Sequence, residues 1–126
     1  MRKSILLSML LLGGCQAWWP PWSEVTGNRY TATELNRRTA IIDQVDNQGS
    51  FASNPIKIEP GQHQLVLQGP APGWQVAPVK VMTLDAQPCK RYYINAQFRD
   101  AINPDWTPVI DYVETISDCR IITAQN

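Results

Sequence analysis

The 126-residue chain predicts an all-β fold, a small antiparallel β-sandwich of about six or seven strands, preceded by a signal segment and a tether. Three observations carry this expectation. Short apolar/polar alternations recur at roughly ten-residue spacing with turn residues between them, which is the pattern of sandwich strands. Ten prolines are spread along the chain, and no long stretch has the 3.6-residue apolar period of a core helix. Cys89 and Cys119 form an even pair once Cys15 is set aside, as in small exported domains stapled by a disulfide.

The elements follow in chain order. Met1-Arg2-Lys3 is a basic head, Ser4 to Leu12 an apolar run, and Gly13-Gly14 a small-residue exit, together a secretory signal peptide. The run is far shorter than the roughly 20 residues needed to span a bilayer. Leu12-Gly13-Gly14-Cys15 resembles the lipobox of bacterial lipoproteins. That resemblance implies cleavage before Cys15, acylation of its thiol and residence in the cell envelope. With Gln16 rather than Asp after the cysteine, it implies delivery to the outer membrane, facing the periplasm. The competing reading is an ordinary secreted protein in which Cys15 enters a disulfide.

Residues 1–14 are thus the expected signal peptide and 15–28 a tether. Pro20-Pro21 favours extended polyproline II, and a dozen such residues would hold a domain up to about 35–40 Å from the lipid. Trp18, Trp19 and Trp22 lie in this stretch. Indoles partition to the membrane interface, apolar in body and wet at the N–H, so the three are expected there. The domain is expected over 29–126. Thr31-Ala-Thr-Glu34 fits a capping box opening a short helix, but the β-branched content of Arg38 to Asp46 favours a strand.

From Asn54 onward the alternation is clearer. Ile56 and Ile58 flank Lys57, and Pro60-Gly61 supplies a turn in which glycine permits φ > 0. His63, Leu65 and Leu67 share one face of the next strand. Gly69 to Gly73 breaks the chain, and Val79 to Leu84 makes a further strand whose Pro78 suits a sheet edge. Tyr92, Ile94, Ala96 and Phe98 then share one face, with Tyr93, Asn95, Gln97 and Arg99 on the other. Val109 to Ile116 alternates again, placing Ile110, Tyr112 and Ile116 together.

Ile56 to Leu65 (IKIEPGQHQL) looks like the strand, Pro-Gly turn, x-His, strand hairpin of PEGA-like domains, small immunoglobulin-like sandwich modules of bacterial surface proteins. The second half, with QPCKRYYINAQF and Trp106-Thr-Pro108, is similar instead to small proteobacterial lipoproteins without assigned activity. Both resemblances imply a non-catalytic envelope domain and carry over no active site.

Chemistry is sparse. Loss of Arg2 and Lys3 leaves 9 Lys/Arg against 11 Asp/Glu, a net charge of −2 with no basic run, which argues against a nucleic-acid partner. A Cys89–Cys119 bond would close a 30-residue loop, worth about 3–4 kcal/mol in the chain-entropy model. A redox or metal pair is the rival reading, without a CxxC spacing and with His63 the only histidine. His63 reads as a half-buried strand residue bonded to backbone. Ser50, Ser53 and Ser117 lie outside any G-x-S-x-G elbow, and Asp43/Asp46 and Asp100/Asp105 lack the setting of paired catalytic carboxylates. No cofactor, metal or enzymatic activity is expected.

The remaining surface candidates are aromatic: Trp74, Tyr93 and Trp106 are taken as a possible binding patch. The function expected is a lipid-anchored binding or structural accessory module. Its partners would be the membrane, through the anchor, and an envelope protein or the cell wall. A small hydrolase, a thiol-active enzyme and an inhibitor of a lytic enzyme presenting Asp100 to Asp105 are the alternatives.

Overall fold

Alternating side chains build eight strands in a computed structural model that describes residues 20–51, 53–70 and 77–120. They are β1 (Ser23–Thr26), β2 (Arg37–Thr39), β3 (Ile41–Val45), β4 (Ile56–Ile58), β5 (Gly61–Gln68), β6 (Lys80–Ala86), β7 (Lys90–Phe98) and β8 (Trp106–Thr115). Two sheets result, one of five strands and one of three in the order β3-β5-β6. In the larger sheet β8 takes one whole side of β7. β1 and β2 share its other side, β1 along Arg91–Tyr93 and β2 along Asn95–Gln97, and β4 extends the sheet beyond β1. Every strand pair is antiparallel except β1 with β7. That parallel pair is open to the chain because the whole second sheet intervenes between the two strands, a long enough connection for a crossover.

The core lies between the sheets. Val25 of β1, Leu65 and Leu67 of β5, and Ile94 and Ala96 of β7 are fully buried, joined by Leu84, Tyr92, Phe98 and Trp106. The inward alternation expected for His63-Leu65-Leu67 and for Tyr92-Ile94-Ala96-Phe98 is therefore present. β6 is an edge strand, as Pro78 suggested. A smaller cluster of Cys89, Ile116 and Cys119 sits at one end with Trp22 packed on it. Cys89 and Cys119 are disulfide-bonded, with Cα atoms 5.3 Å apart.

The structure changes five expectations. The domain begins at Ser23, not at 29: β1 lies between β4 and β7, and buried Ser23 and Val25 alternate with half-buried Glu24. The PEGA-like hairpin is not a hairpin, since β4 belongs to the larger sheet and β5 to the smaller. Pro60-Gly61 is a corner between sheets, with Gly61 at φ 121°. Thr31 to Glu34 forms a turn closed by Glu34 N–H to Thr31 O, 3.0 Å, with no helix. The single strand expected over Arg38 to Asp46 is two, β2 and β3, in different sheets, and a bulge at Asp43 interrupts the second. Finally, the shared face of Ile110, Tyr112 and Ile116 is broken by a bulge at Asp111, which leaves Ile110 opposite Ile94 and Tyr112 opposite Tyr93. One inserted residue reverses every later side chain because the strand period is two.

Close approach of the residue after β1 to Ala40, the link between β2 and β3, depends on Gly27. A Cβ there would stand 1.9 Å from the carbonyl oxygen of Ala40, a backbone atom that cannot rotate away. Gly27→Ala should therefore destabilise the domain by about 1–3 kcal/mol or more, the range of overpacking. Urea unfolding checks this, and a variant within about 0.5 kcal/mol of wild type would contradict the close approach.

Candidate functional site

The densest chemistry lies on the outer face of the five-stranded sheet. Strand registers place Lys57, Glu24, Arg91 and Glu114 side by side across β4, β1, β7 and β8, a row of alternating charge. Arg91 Nε donates to Glu24 Oε1 at 2.7 Å and its Nη1 to Glu114 Oε1 at 2.6 Å. Cross-strand pairs of opposite sign are the sheet's local stabilising unit, each worth roughly 0.2–1 kcal/mol. The hydrogen bond to Glu24, opposed by desolvation and reinforced by Glu114, strengthens the hold of Arg91 on its proton. Glu114 also accepts from the Tyr93 hydroxyl at 2.7 Å, and this bond with that from Arg91 keeps its carboxyl below the usual range. Desolvation and the same bond raise the Tyr93 phenol.

One row further along, the Asp111 bulge puts Tyr112 directly across from Tyr93, with ring centroids 6.0 Å apart. The Arg29 guanidinium, from the loop after β1, lies 4.3 Å from the Tyr112 centroid and 5.7 Å from that of Tyr93. Such cation–π contacts contribute about 0.5–1 kcal/mol at exposed sites. The loop is pinned from below, where fully buried Asn95 donates through Nδ2 to Arg29 O at 2.6 Å. On the far side Arg37 pairs with Asp111 at 2.6 Å and with Gln97 Oε1 at 2.8 Å, and the Thr31 hydroxyl donates to Asp111 at 3.0 Å. Glu24, Glu114 and Asp111 are thus each satisfied within the sheet, whereas Arg29 joins none of the ion pairs among the described residues. Tyr112 is 44% exposed. The result is a positioned guanidinium on a double tyrosine platform, set beside carboxylates that are paired within the sheet. Chemically this arrangement is suited to recognition: an Arg fork and aromatic faces are the groups that dominate binding hot spots.

His63 sits elsewhere, at the corner beside the Pro60-Gly61 turn. Its Nδ1 meets Asp46 Oδ2 at 2.6 Å and its Nε2 meets Glu59 O at 2.6 Å. Two acceptors on the two ring nitrogens favour the doubly protonated ring and leave no free lone pair for general-base work. Desolvation opposes protonation, but the bonds to Asp46 and Glu59 outweigh it and raise the imidazole above 6.5. Asp46 is held low by the Gln64 backbone N–H and then by His63.

The sign of the pH dependence follows from those directions. The contribution of His63 is complete below its unfolded value near 6.5 and is lost as pH rises through the higher folded value. That of Asp46 is present above 3.8 and is lost as pH falls through its lower folded value. The stability advantage of wild type over His63→Gln, read from thermal midpoints, should therefore shrink as pH rises above 6.5. A difference that stays constant across that range would contradict the pairing.

Of the aromatic patch proposed from sequence, the structure keeps Tyr93 on the surface and removes Trp106. Trp106 is 2% exposed, its indole N–H donates to Pro78 O at 2.7 Å, and its ring packs 6.4 Å from Phe98. The reason is register: Trp106 pairs with Phe98 and so shares the inward face of the sheet. Trp74 lies outside the described residues, as do Cys15, Trp18 and Trp19. Trp22 is described and is docked on the domain with part of its surface still exposed. Its Nε1 donates to Glu24 at 2.8 Å, Lys57 Nζ stands 4.3 Å from its ring, and its carbonyl accepts from Cys89 N–H at 2.7 Å. In the Asp100 to Asp105 loop both carboxylates are engaged within the domain, while Ile102 is exposed. Asp100 accepts from the N–H groups of Ile102 and Asn103, and Asp105 pairs with Lys80 at 3.1 Å. Among the described residues no three of His, Cys, Asp and Glu converge in a way that would hold a metal.

Sequence reading missed Arg29, Tyr112, Glu24, Arg91 and Glu114. Only Tyr93 carried a usable signal, its place opposite the core face; the others meet through three strand registers and one bulge. Comparison with protein-family models, curated proteins and solved structures finds no match to the chain.

Proposed function

We propose that the protein is a lipid-anchored, non-enzymatic module of the bacterial cell envelope, tied by Cys15 to the outer membrane on its periplasmic side. It binds an envelope protein or the cell wall through the outer face of the five-stranded sheet. The observation that carries the binding role is the exposed Arg29–Tyr112–Tyr93 stack, held in place while the neighbouring carboxylates are satisfied within the sheet. The anchor rests on the basic head, apolar run and lipobox-like LGGC at 12–15. An enzymatic role is disfavoured because both nitrogens of the single imidazole are engaged and both domain cysteines are bonded to each other.

Affinity capture from gently solubilised membranes tests the reading. The wild-type protein should retain a partner that the Arg29→Ala, Tyr112→Ala double variant loses several-fold, with the thermal midpoint little changed. Equal capture by both would remove this face from the function. Cys15→Ala should abolish acyl labelling and release the protein from membranes; membrane retention without label would overturn the anchor.

A further inference from the structure

The base of the domain carries an apolar groove of about 880 Å³ whose walls are Pro20, Pro21, Trp22, Ile58 and Pro60. We propose that this groove seats on a zwitterionic phospholipid surface, so that the domain rests on the bilayer to which Cys15 ties it. The proposal rests on reading Cys15 as the lipid-bearing residue.

Chain length places the groove there. Pro20, itself a wall of the groove, is only the fifth residue after Cys15. Five residues span at most about 17 Å when fully extended, less than half the reach a tether running to Asn28 would have had. Docking of Trp22 and inclusion of Ser23 in β1 are what shorten it. The base is therefore the end of the sandwich closest to the headgroups. The Asp100–Asp105 loop, beyond the other end of the nine-residue strand β7, is the end furthest from them.

Charge at the rim selects the lipid. Lys57 lines the groove as its cation, and Glu59 and Asp118 line it as its anions. One cation beside carboxylates complements the phosphate and ammonium of a zwitterionic headgroup. Two carboxylates against one ammonium oppose an anionic surface. Pro20, Pro21, Pro60 and the outer part of a half-buried tryptophan supply the apolar area that such a layer accepts.

The test uses the acylated full chain in nanodiscs of phosphatidylcholine and phosphatidylethanolamine that carry a headgroup spin label. The backbone amides of Lys57, Glu59 and Asp118 should broaden several-fold more than those of Ile102 and Asn103. Lys57→Glu, at an exposed site, and replacement of the lipid by phosphatidylglycerol should each reduce that contrast. Uniform broadening of an acylated, disc-bound protein would overturn the docking while leaving the anchor intact. Cross-peaks from the Trp18 or Trp19 indole to Pro60 without lipid would show the groove filled by the chain itself, and would also overturn it. Absence of the acyl mass would be seen separately, and would overturn the anchor and this proposal together.

Discussion

Replacing Cys89 and Cys119 with serine should cost about 3–4 kcal/mol, the loop-closure value for a 30-residue span. For a domain of this size that is a fall in thermal midpoint of roughly 15–25 °C. The bond closes the segment holding β7 and β8, the two longest strands, which pair over nearly their whole length. It also forms the floor on which Trp22 rests, together with Ile116. The loss should therefore appear as an earlier midpoint on urea unfolding and as faster proteolysis near Pro20 to Trp22. The same shift should follow from reducing the wild-type protein. A double-serine variant within about 1 kcal/mol of wild type would mean that strand pairing alone holds this end of the sandwich.

Trp106→Ala should cost about 3–5 kcal/mol, as for a large aromatic removed from a core. The indole is 2% exposed and packs on Phe98, and a Cβ at Gly69 would come within 2.7 Å of its ring. Truncation also orphans the Pro78 carbonyl that accepts its N–H. The contrast with Tyr112→Ala is the informative one. Tyr112 is 44% exposed on the outer face, and surface changes of that kind usually stay within about 0.5 kcal/mol apart from the lost cation–π contact. Urea titration of both variants separates a core tryptophan from a recognition tyrosine. A small effect at Trp106 would return it to the surface patch expected from sequence.

How far the fold could be read in advance differs from one segment to another. In β5 and β7 the period of two is unbroken, so Leu65, Leu67, Ile94 and Phe98 point where their alternation says. In β3 and β8 an extra residue, Asp43 or Asp111, breaks the period with no local signature, and the faces inferred beyond it are reversed. Asp111 shows why. Its side chain is 1% exposed because it pairs with Arg37 from β2, a partner 74 positions away that no local pattern announces. β1 was hidden for a related reason. Four residues are too few to show an alternation, and Ser23-Glu-Val-Thr26 becomes a strand because β4 and β7 offer it both edges.

The candidate face was less legible still, since Lys57, Glu24, Arg91 and Glu114 are scattered over 91 residues and meet only when three pairings are in register. What the amino-acid order determined by itself is whatever depends on neighbours along the chain. That includes the all-β class, the faces of unbroken strands, and the left-handed glycine at the corner after Pro60. The Cys89–Cys119 bond stands apart, because the composition holds three cysteines and the pairing is seen in the fold. Tertiary structure decided which sheet each strand joined, where bulges reversed a face, that Trp22 docks and Trp106 is core, and which charges became partners. Those outcomes depend on register between distant strands, and register is set by the energy of the whole packed sandwich, with no local stretch encoding it.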